Sequence, residues 1–124
     1  MKFIKDTCQN QHSIQKYQQE PYFIQIKNIQ YTSPLLITQD NLKPISTHYN
    51  DSEFLKIIDQ LIHQNTFEIL LIGTGSKYLP PHSELLLLCN RHKIGLETMS
   101  THAACRTHNI LLQDKRTLAT ILIP

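Results

Sequence analysis

Glycine is scarce. It occurs three times in a chain of 124 residues, and two of the three, Gly73 and Gly75, share one short stretch, LLIGTGSKYLPP. A phosphate-cradling loop needs more. The dinucleotide fingerprint requires a third glycine where Tyr78 stands, and the Gly-Lys-Ser/Thr ending of the triphosphate loop is missing. The pair is therefore read as a turn where backbone conformation or close approach leaves no room for a β-carbon.

Cysteine is also sparse: Cys8, Cys89 and Cys105 form an odd set with no CxxC spacing. That excludes a disulfide framework and a zinc ribbon, and it fits a reducing compartment. Cys89 follows four leucines, a setting in which a thiol serves as a small apolar group.

Charge of either sign is nearly balanced, at +2 net, and Lys and Arg are scattered along the chain. Nucleic acid is thus not expected as a partner. Long apolar runs are missing too. No stretch approaches the roughly 20 residues that span a bilayer. The opening MKFIKDTCQNQHSIQKYQQE also lacks the run of about seven apolar residues that forms a signal-peptide core. The expectation is a cytoplasmic protein without direct membrane insertion.

What is present, 40% apolar and 18% charged residues, describes a chain that buries a core of its own. A single domain over 1–124 is expected, with a polar, Gln-rich, loosely held arm at 1–20 and a folded part at 21–124. From Tyr22 on, Ile24 and Ile26 alternate with Gln25 and Lys27, the signature of a strand. A second extended run covers 34–38.

Asn50 is placed to cap a helix over 52–63, with Glu53 three residues later. On it Phe54, Ile57, Ile58, Leu61 and Ile62 recur at helical spacing. The second half has a regular rhythm: strand at 67–72, helix at 81–92, strand at 94–99, a helix capped by Ser100 and running to 113, and strand at 117–123. Such alternation predicts parallel strands joined by right-handed crossovers. The fold class read from it is α/β. One three-layer domain is expected, with a mixed sheet, a parallel βαβαβ C-terminal half and antiparallel N-terminal strands.

Ligands of open α/β sheets bind beyond the carboxyl ends of the strands. Two such ends open into Gly73-Thr74-Gly75 and into Ser100-Thr101, on one side of the sheet. On the helix that follows, Ala103, Ala104, Thr107, Ile110 and Leu111 gather on one face, expected to pack on the sheet. Thr101, Cys105 and Asn109 form an opposite stripe, flanked by His102 and Arg106.

Cys105, in the first turns of a helix and beside Arg106, is the weak candidate for a nucleophile. His102 and His108 lie within reach along the helix, yet neither has an orienting carboxylate. They differ by about 240° around the axis, too far apart to join Cys105 in one ligand set, so no metal and no cofactor are expected. Both histidines are read as facing solvent. Arg106 is suited to clamping a carboxylate or to holding the 73–75 loop against the helix. The candidate interaction or ligand-binding set is Gly73, Thr74, Gly75, Ser100, Thr101, Cys105, Arg106 and Asn109.

Three segments, LLIGTGSKYLPP, GLETMSTHAACRTHNILL and RTLATILIP, carry a resemblance that covers about 22–124. They resemble the small α/β family of unknown function that includes the mitochondrial NADH dehydrogenase (ubiquinone) complex I assembly factor 3. The resemblance implies a single three-layer α/β domain and no established enzymatic activity. It also implies a role for Gly73, Gly75, Pro80, Thr101, Ala104, Cys105, Arg106, Thr107 and Asn109. The mitochondrial member acts in respiratory complex assembly through protein contacts. His108 and His102 depart from the family pattern, which has an aromatic and a small residue at those positions. The Gln-rich arm lies outside the resemblance.

The function expected is that of a non-enzymatic interaction or assembly module with a protein partner, or with a second copy of itself. The competing reading is a small-molecule binder or a Cys105-dependent enzyme. Both place their site in a cleft between the 73–75 loop and the helix at 101–109.

Overall fold

A computed structural model describes the backbone of residues 2–3 and the whole of residues 12–124; Cys8 lies outside them. Twelve elements follow one another as β1 (Lys2–Phe3), β2 (Lys16–Gln19), β3 (Tyr22–Ile26), β4 (Ile29–Tyr31), β5 (Leu35–Ile37), β6 (Leu42–Pro44), α1 (Ser52–Gln64), β7 (Ile69–Gly73), α2 (Ser83–Arg91), β8 (Gly95–Met99), α3 (Thr101–Gln113) and β9 (Leu118–Leu122).

The central sheet is mixed, in the order β6-β5-β9-β7-β8. Strands β7, β8 and β9 are parallel, while β5 runs antiparallel to both β9 and β6. The first crossover, from β7 to β8, moves outward, and the next passes back over β7 to reach β9. Two right-handed crossovers in opposite directions put their helices on opposite faces. Accordingly α2 joins α1 on one face, where Phe54, Ile58, Leu61, Leu85 and Cys89 pack on Leu70, Ile72 and Ile121. The other face is covered by α3, whose Ala104 and Cys105 meet Leu71 and Leu122. Every residue of β7 and β9 is buried, as a strand covered on both faces must be.

The three-layer α/β architecture is the one expected, but the antiparallel strands divide between two sheets. Only β5 and β6 extend the central sheet. Strands β1 to β4 form a separate antiparallel sheet, which closes over α3 through Tyr17, Ile24 and Ile26. The segment expected as a loose arm is therefore held from His12 onward: Ile14 and Tyr17 are in the core. Its backbone is tied to α3, because the Ile14 N–H donates to Asn109 Oδ1 at 2.8 Å and Asn109 Nδ2 donates back to the Ile14 carbonyl at 2.8 Å. The low apolar content of that segment hid a strand whose anchors are one isoleucine and one tyrosine.

The cap of α1 shifts by one residue. Asp51 accepts from the Phe54 N–H, while Asn50 takes a left-handed conformation, φ 68°. Its side chain donates to the Pro80 carbonyl and accepts from the His82 N–H. Asn50 thus pins the loop that leads into α2. Ser100 caps α3 as expected, accepting from the Ala103 N–H.

Candidate functional site

The site built from the sequence joins the end of β7, the end of β8 and the start of α3. The structure brings these together more tightly than a cleft allows. The Thr101 N–H donates to the Gly75 carbonyl at 2.8 Å. The Gly75 N–H donates to Thr101 Oγ1 at 2.9 Å, and that hydroxyl donates onward to the Ile123 carbonyl at 2.6 Å. One buried threonine therefore ties the ends of β7, α3 and β9 into a closed seam. The expected cleft is filled by it.

Both glycines have a geometric reason. A β-carbon on Gly73 would lie 2.9 Å from Thr101 Cα and 3.1 Å from Ala104 Cβ. Gly75 has φ +113°, in a region that L side chains rarely adopt. Thr74 builds the turn between them and α2. Its N–H donates to the Met99 carbonyl, its hydroxyl donates to the Lys77 carbonyl and accepts from the Leu79 N–H. Arg106 does not hold this loop: it is exposed, and the threonines do the holding.

The rotation of α3 differs from expectation. Thr101, Ala104, Cys105, His108 and Asn109 are its buried side, and Ile110 is exposed. The stripe read as outward faces the core, because each polar member finds a partner there. Thr101 and Asn109 bond as described. His108 bridges Thr120 Oγ1 at 2.8 Å and the His12 carbonyl at 2.9 Å. Since a carbonyl only accepts, Nε2 carries the proton and Nδ1 accepts from the Thr120 hydroxyl. Burial pushes the His108 pKa down to about 4, so the ring is neutral. His102 is not a free surface group either; its ring stacks on Tyr17, with centroids 5.3 Å apart and planes 10° off parallel.

Cys105 is correspondingly inaccessible, with 0% of its surface exposed. Burial holds its thiol well above the ordinary range, the opposite of what a nucleophile needs. The reading of Cys105 as a catalytic residue does not survive this: no solvent reaches its sulfur, and its two helix neighbours in sequence, His102 and His108, are engaged elsewhere. The expected outcome of treating the native protein with iodoacetamide at about pH 8, followed by peptide mapping, is no label on Cys105 until denaturant is added. Rapid native labelling would restore the nucleophile reading.

One cavity lies away from this seam and another beside it. One of about 550 Å³ opens at the other end of the parallel strands, lined by His12, Thr38, Asp40, His108, Lys115 and Arg116 among others. A second, of about 760 Å³, lies beside the end of β9 and the start of α1 and is walled by Pro34, Pro44, Ile45, His48, Asp51 and Ile123 among others. Tyr78 and Leu79 in the loop after β7, and Leu86 and Leu87 on α2, are each between 49% and 59% exposed.

Residues missed by sequence reasoning are the partners of α3: His12, Ile14, Thr120 and Ile123. Thr120 gave a signal, a hydroxyl in the middle of the otherwise apolar strand LATIL, which demands a hydrogen-bond partner. The N-terminal partners gave none.

Comparison with known proteins agrees with this arrangement. A family model described as a protein of unknown function, DUF498/DUF598, matches residues 14–123. The chain is 28% identical over 96 residues to the 13 kDa major membrane protein of Francisella tularensis, covering 76% of this chain and 77% of that protein. It is 39% identical over 57 residues to the NADH dehydrogenase [ubiquinone] 1 alpha subcomplex assembly factor 3 of Danio rerio, covering 46% of this chain. It spans about a third of the length of that assembly factor, 33%.

Among solved structures, an outer membrane protein from Bartonella henselae matches with a TM-score of 0.77 at 27% identity, covering 92% of this chain and 95% of that one. A Bordetella parapertussis protein matches with a TM-score of 0.81 at 20% identity, covering 94% and 98%. A Bordetella pertussis protein described as a Mth938-like domain gives 0.75 at 18%, covering 100% and 92%.

Proposed function

The chain belongs to the DUF498/DUF598 family, whose function is unknown, and from that membership we propose that it is a non-catalytic interaction module serving the assembly of a multiprotein complex. The observation that carries this reading is the division of labour at the seam. Thr101, Cys105 and Asn109, the side chains a catalytic reading would use, are consumed in the interior. Tyr78 and Leu79 in the loop after β7, and Leu86 and Leu87 on α2, stand in solvent, and large apolar groups held in solvent suit protein contact.

Relatives named as NADH dehydrogenase assembly factors support the same reading, and the proposed partner is a subunit of a membrane respiratory complex. Among the described residues no helix is long and apolar enough to cross a membrane. Two relatives carry membrane-protein names. The proposal accommodates both facts: the protein works in the cytoplasm and reaches the membrane by docking on its partner. Gly73, Thr74, Gly75, Ser100 and Thr101 shape the Tyr78–Leu79 loop from within, and Arg106 stands exposed on α3.

Quantitative co-purification from native cells tests this, comparing the wild type with Tyr78→Ser/Leu79→Ser and with Leu86→Gln/Leu87→Gln. A reproducible protein partner is expected with the wild type and reduced at least tenfold in both variants, their thermal transitions remaining within a few degrees. The reading fails if nothing enriches with the wild type, or if the partner is retained by both.

A further inference from the structure

The cavity of about 550 Å³ near the end of α3 is bordered by acceptors from one part of the chain and donors from another. Its size is that of sites which hold small molecules. Ile37 and Leu118, both buried, give it an apolar floor.

His12 and Asp40 supply the acceptors. The His12 ring is 7% exposed, and the residue is fixed from two directions. Nδ1 lies 2.9 Å from the Thr38 carbonyl, and the His12 carbonyl accepts from His108 Nε2 at 2.9 Å. Since a carbonyl only accepts, Nδ1 carries a proton, and in the neutral ring Nε2 keeps its lone pair. Among the described residues nothing donates to Nε2, and Tyr22 Oη is the one sealed side-chain polar atom without a partner. Nε2 is therefore open, and the ring opens on this cavity. Asp40, two residues beyond Thr38, adds an exposed carboxylate to the same lining.

Lys115 and Arg116, between α3 and β9, supply the donors. Lys115 takes a left-handed conformation, φ 60°, that glycine fills more easily. Its N–H donates to the Leu112 carbonyl, and the Arg116 N–H donates to the Leu111 carbonyl, so this turn is fixed to the end of the helix. Glu68 takes the Arg116 Nε at 2.6 Å, which leaves Lys115 as the unopposed cation. Among the described residues neither Lys115 nor Asp40 enters an ion pair.

We propose that this cavity binds a small zwitterion, an aliphatic amino acid whose ammonium group meets His12 Nε2 and Asp40 and whose carboxylate meets Lys115. A lone acid and a lone base around an apolar floor fit a molecule that carries both charges on a hydrocarbon body. A plain carboxylate would be repelled by Asp40, and a plain amine by Lys115. The site is independent of the assembly reading, because it lies at the opposite end of the parallel strands from the Tyr78–Leu79 loop.

Nuclear magnetic resonance titration of the full-length protein tests this with two zwitterions, L-leucine and ε-aminocaproate, whose charges are adjacent and distant. At least one is expected to bind with a Kd of about 1 mM or tighter. Isocaproate, which lacks the ammonium group, and isoamylamine, which lacks the carboxylate, are expected to bind about tenfold more weakly or worse. The His12 Nε2 resonance is expected to move with the zwitterion and the amine, and to stay in place with isocaproate. Asp40→Asn and Lys115→Gln change exposed side chains, and each is expected to lower the affinity for the zwitterion about tenfold. Silence of both zwitterions overturns the proposal, as does isocaproate or isoamylamine binding as tightly as the zwitterion. Unchanged affinity in both variants, or shifts confined to residues outside this cavity, overturns the site.

Discussion

Alanine in place of Gly73 is expected to lower the stability of the fold by about 3 kcal/mol or more, the combined cost of overpacking and of hydrogen bonds lost in the seam. The added β-carbon meets the backbone of Thr101 at 2.9 Å and its hydroxyl oxygen at the same distance. Neither is the far end of a flexible side chain, so α3 has to move as a body. Moving it strains three bonds at once, those linking Thr101 to the Gly75 carbonyl, to the Gly75 N–H and to the Ile123 carbonyl.

Urea unfolding reads the effect as a fall in midpoint at unchanged m-value. Gly95→Ala provides the matched control, since its β-carbon would meet only the Glu68 carbonyl at 3.6 Å, an ordinary contact, and is expected to cost less than about 1 kcal/mol. Equal losses at the two positions would show that close approach at Gly73 is not what α3 depends on.

Acidification is expected to unfold the protein in a window set by His108. Its pKa in the folded state is pushed down to about 4 by burial, against about 6.5 in an unfolded chain. The unfolded state therefore binds the proton more readily. The stabilisation is complete above about pH 6.5, declines as pH falls through that value, and is exhausted near pH 4; the loss amounts to roughly 3 kcal/mol. Desolvation is the main cause, and the nearby His12 adds repulsion to the protonated form. The bond from Nε2 to the His12 carbonyl works the other way, without offsetting burial.

The carboxylates Asp51 and Glu68 have their pKa values lowered by hydrogen bonding, chiefly to the Phe54 N–H and to Arg116 respectively. Their contributions are complete above about pH 4.5 and fade below it, so they meet the His108 effect only at the bottom of its range. Urea midpoints measured between pH 7 and pH 4 should slope downward in the wild type and be nearly flat over that range in His108→Phe. The variant starts lower, because it leaves the Thr120 hydroxyl and the His12 carbonyl without their ring partner. A wild-type slope that persists in His108→Phe would locate the titrating group elsewhere.

Both predictions rest on residues whose roles were unequally legible. Periodicity and capping chemistry are local, so the chain alone determined that residues 52–113 form three helices and two of the strands between and beside them, that Ser100 starts α3, and that the strands after each crossover are parallel. The same local rules marked Gly73 and Gly75 as backbone-driven positions and gave no phosphate loop. That the second crossover returns across β7 follows from the strand order, which only the tertiary structure decided.

Which side of α3 enters the core was decided only by tertiary structure. Helical projection sorts residues by polarity, and on that basis Ala103, Thr107 and Ile110 outrank His108 and Asn109. Burying a polar side chain costs little, however, when its hydrogen-bonding capacity is met. The groups that meet it here come from distant chain. His12 is 96 residues from His108, and Ile14 is 95 residues from Asn109. Such partners leave no trace in a window of neighbouring residues. The polar stripe was therefore visible in the sequence as a pattern, and became interior rather than surface because the folded chain supplied its hydrogen bonds from the N-terminal segment and from β9.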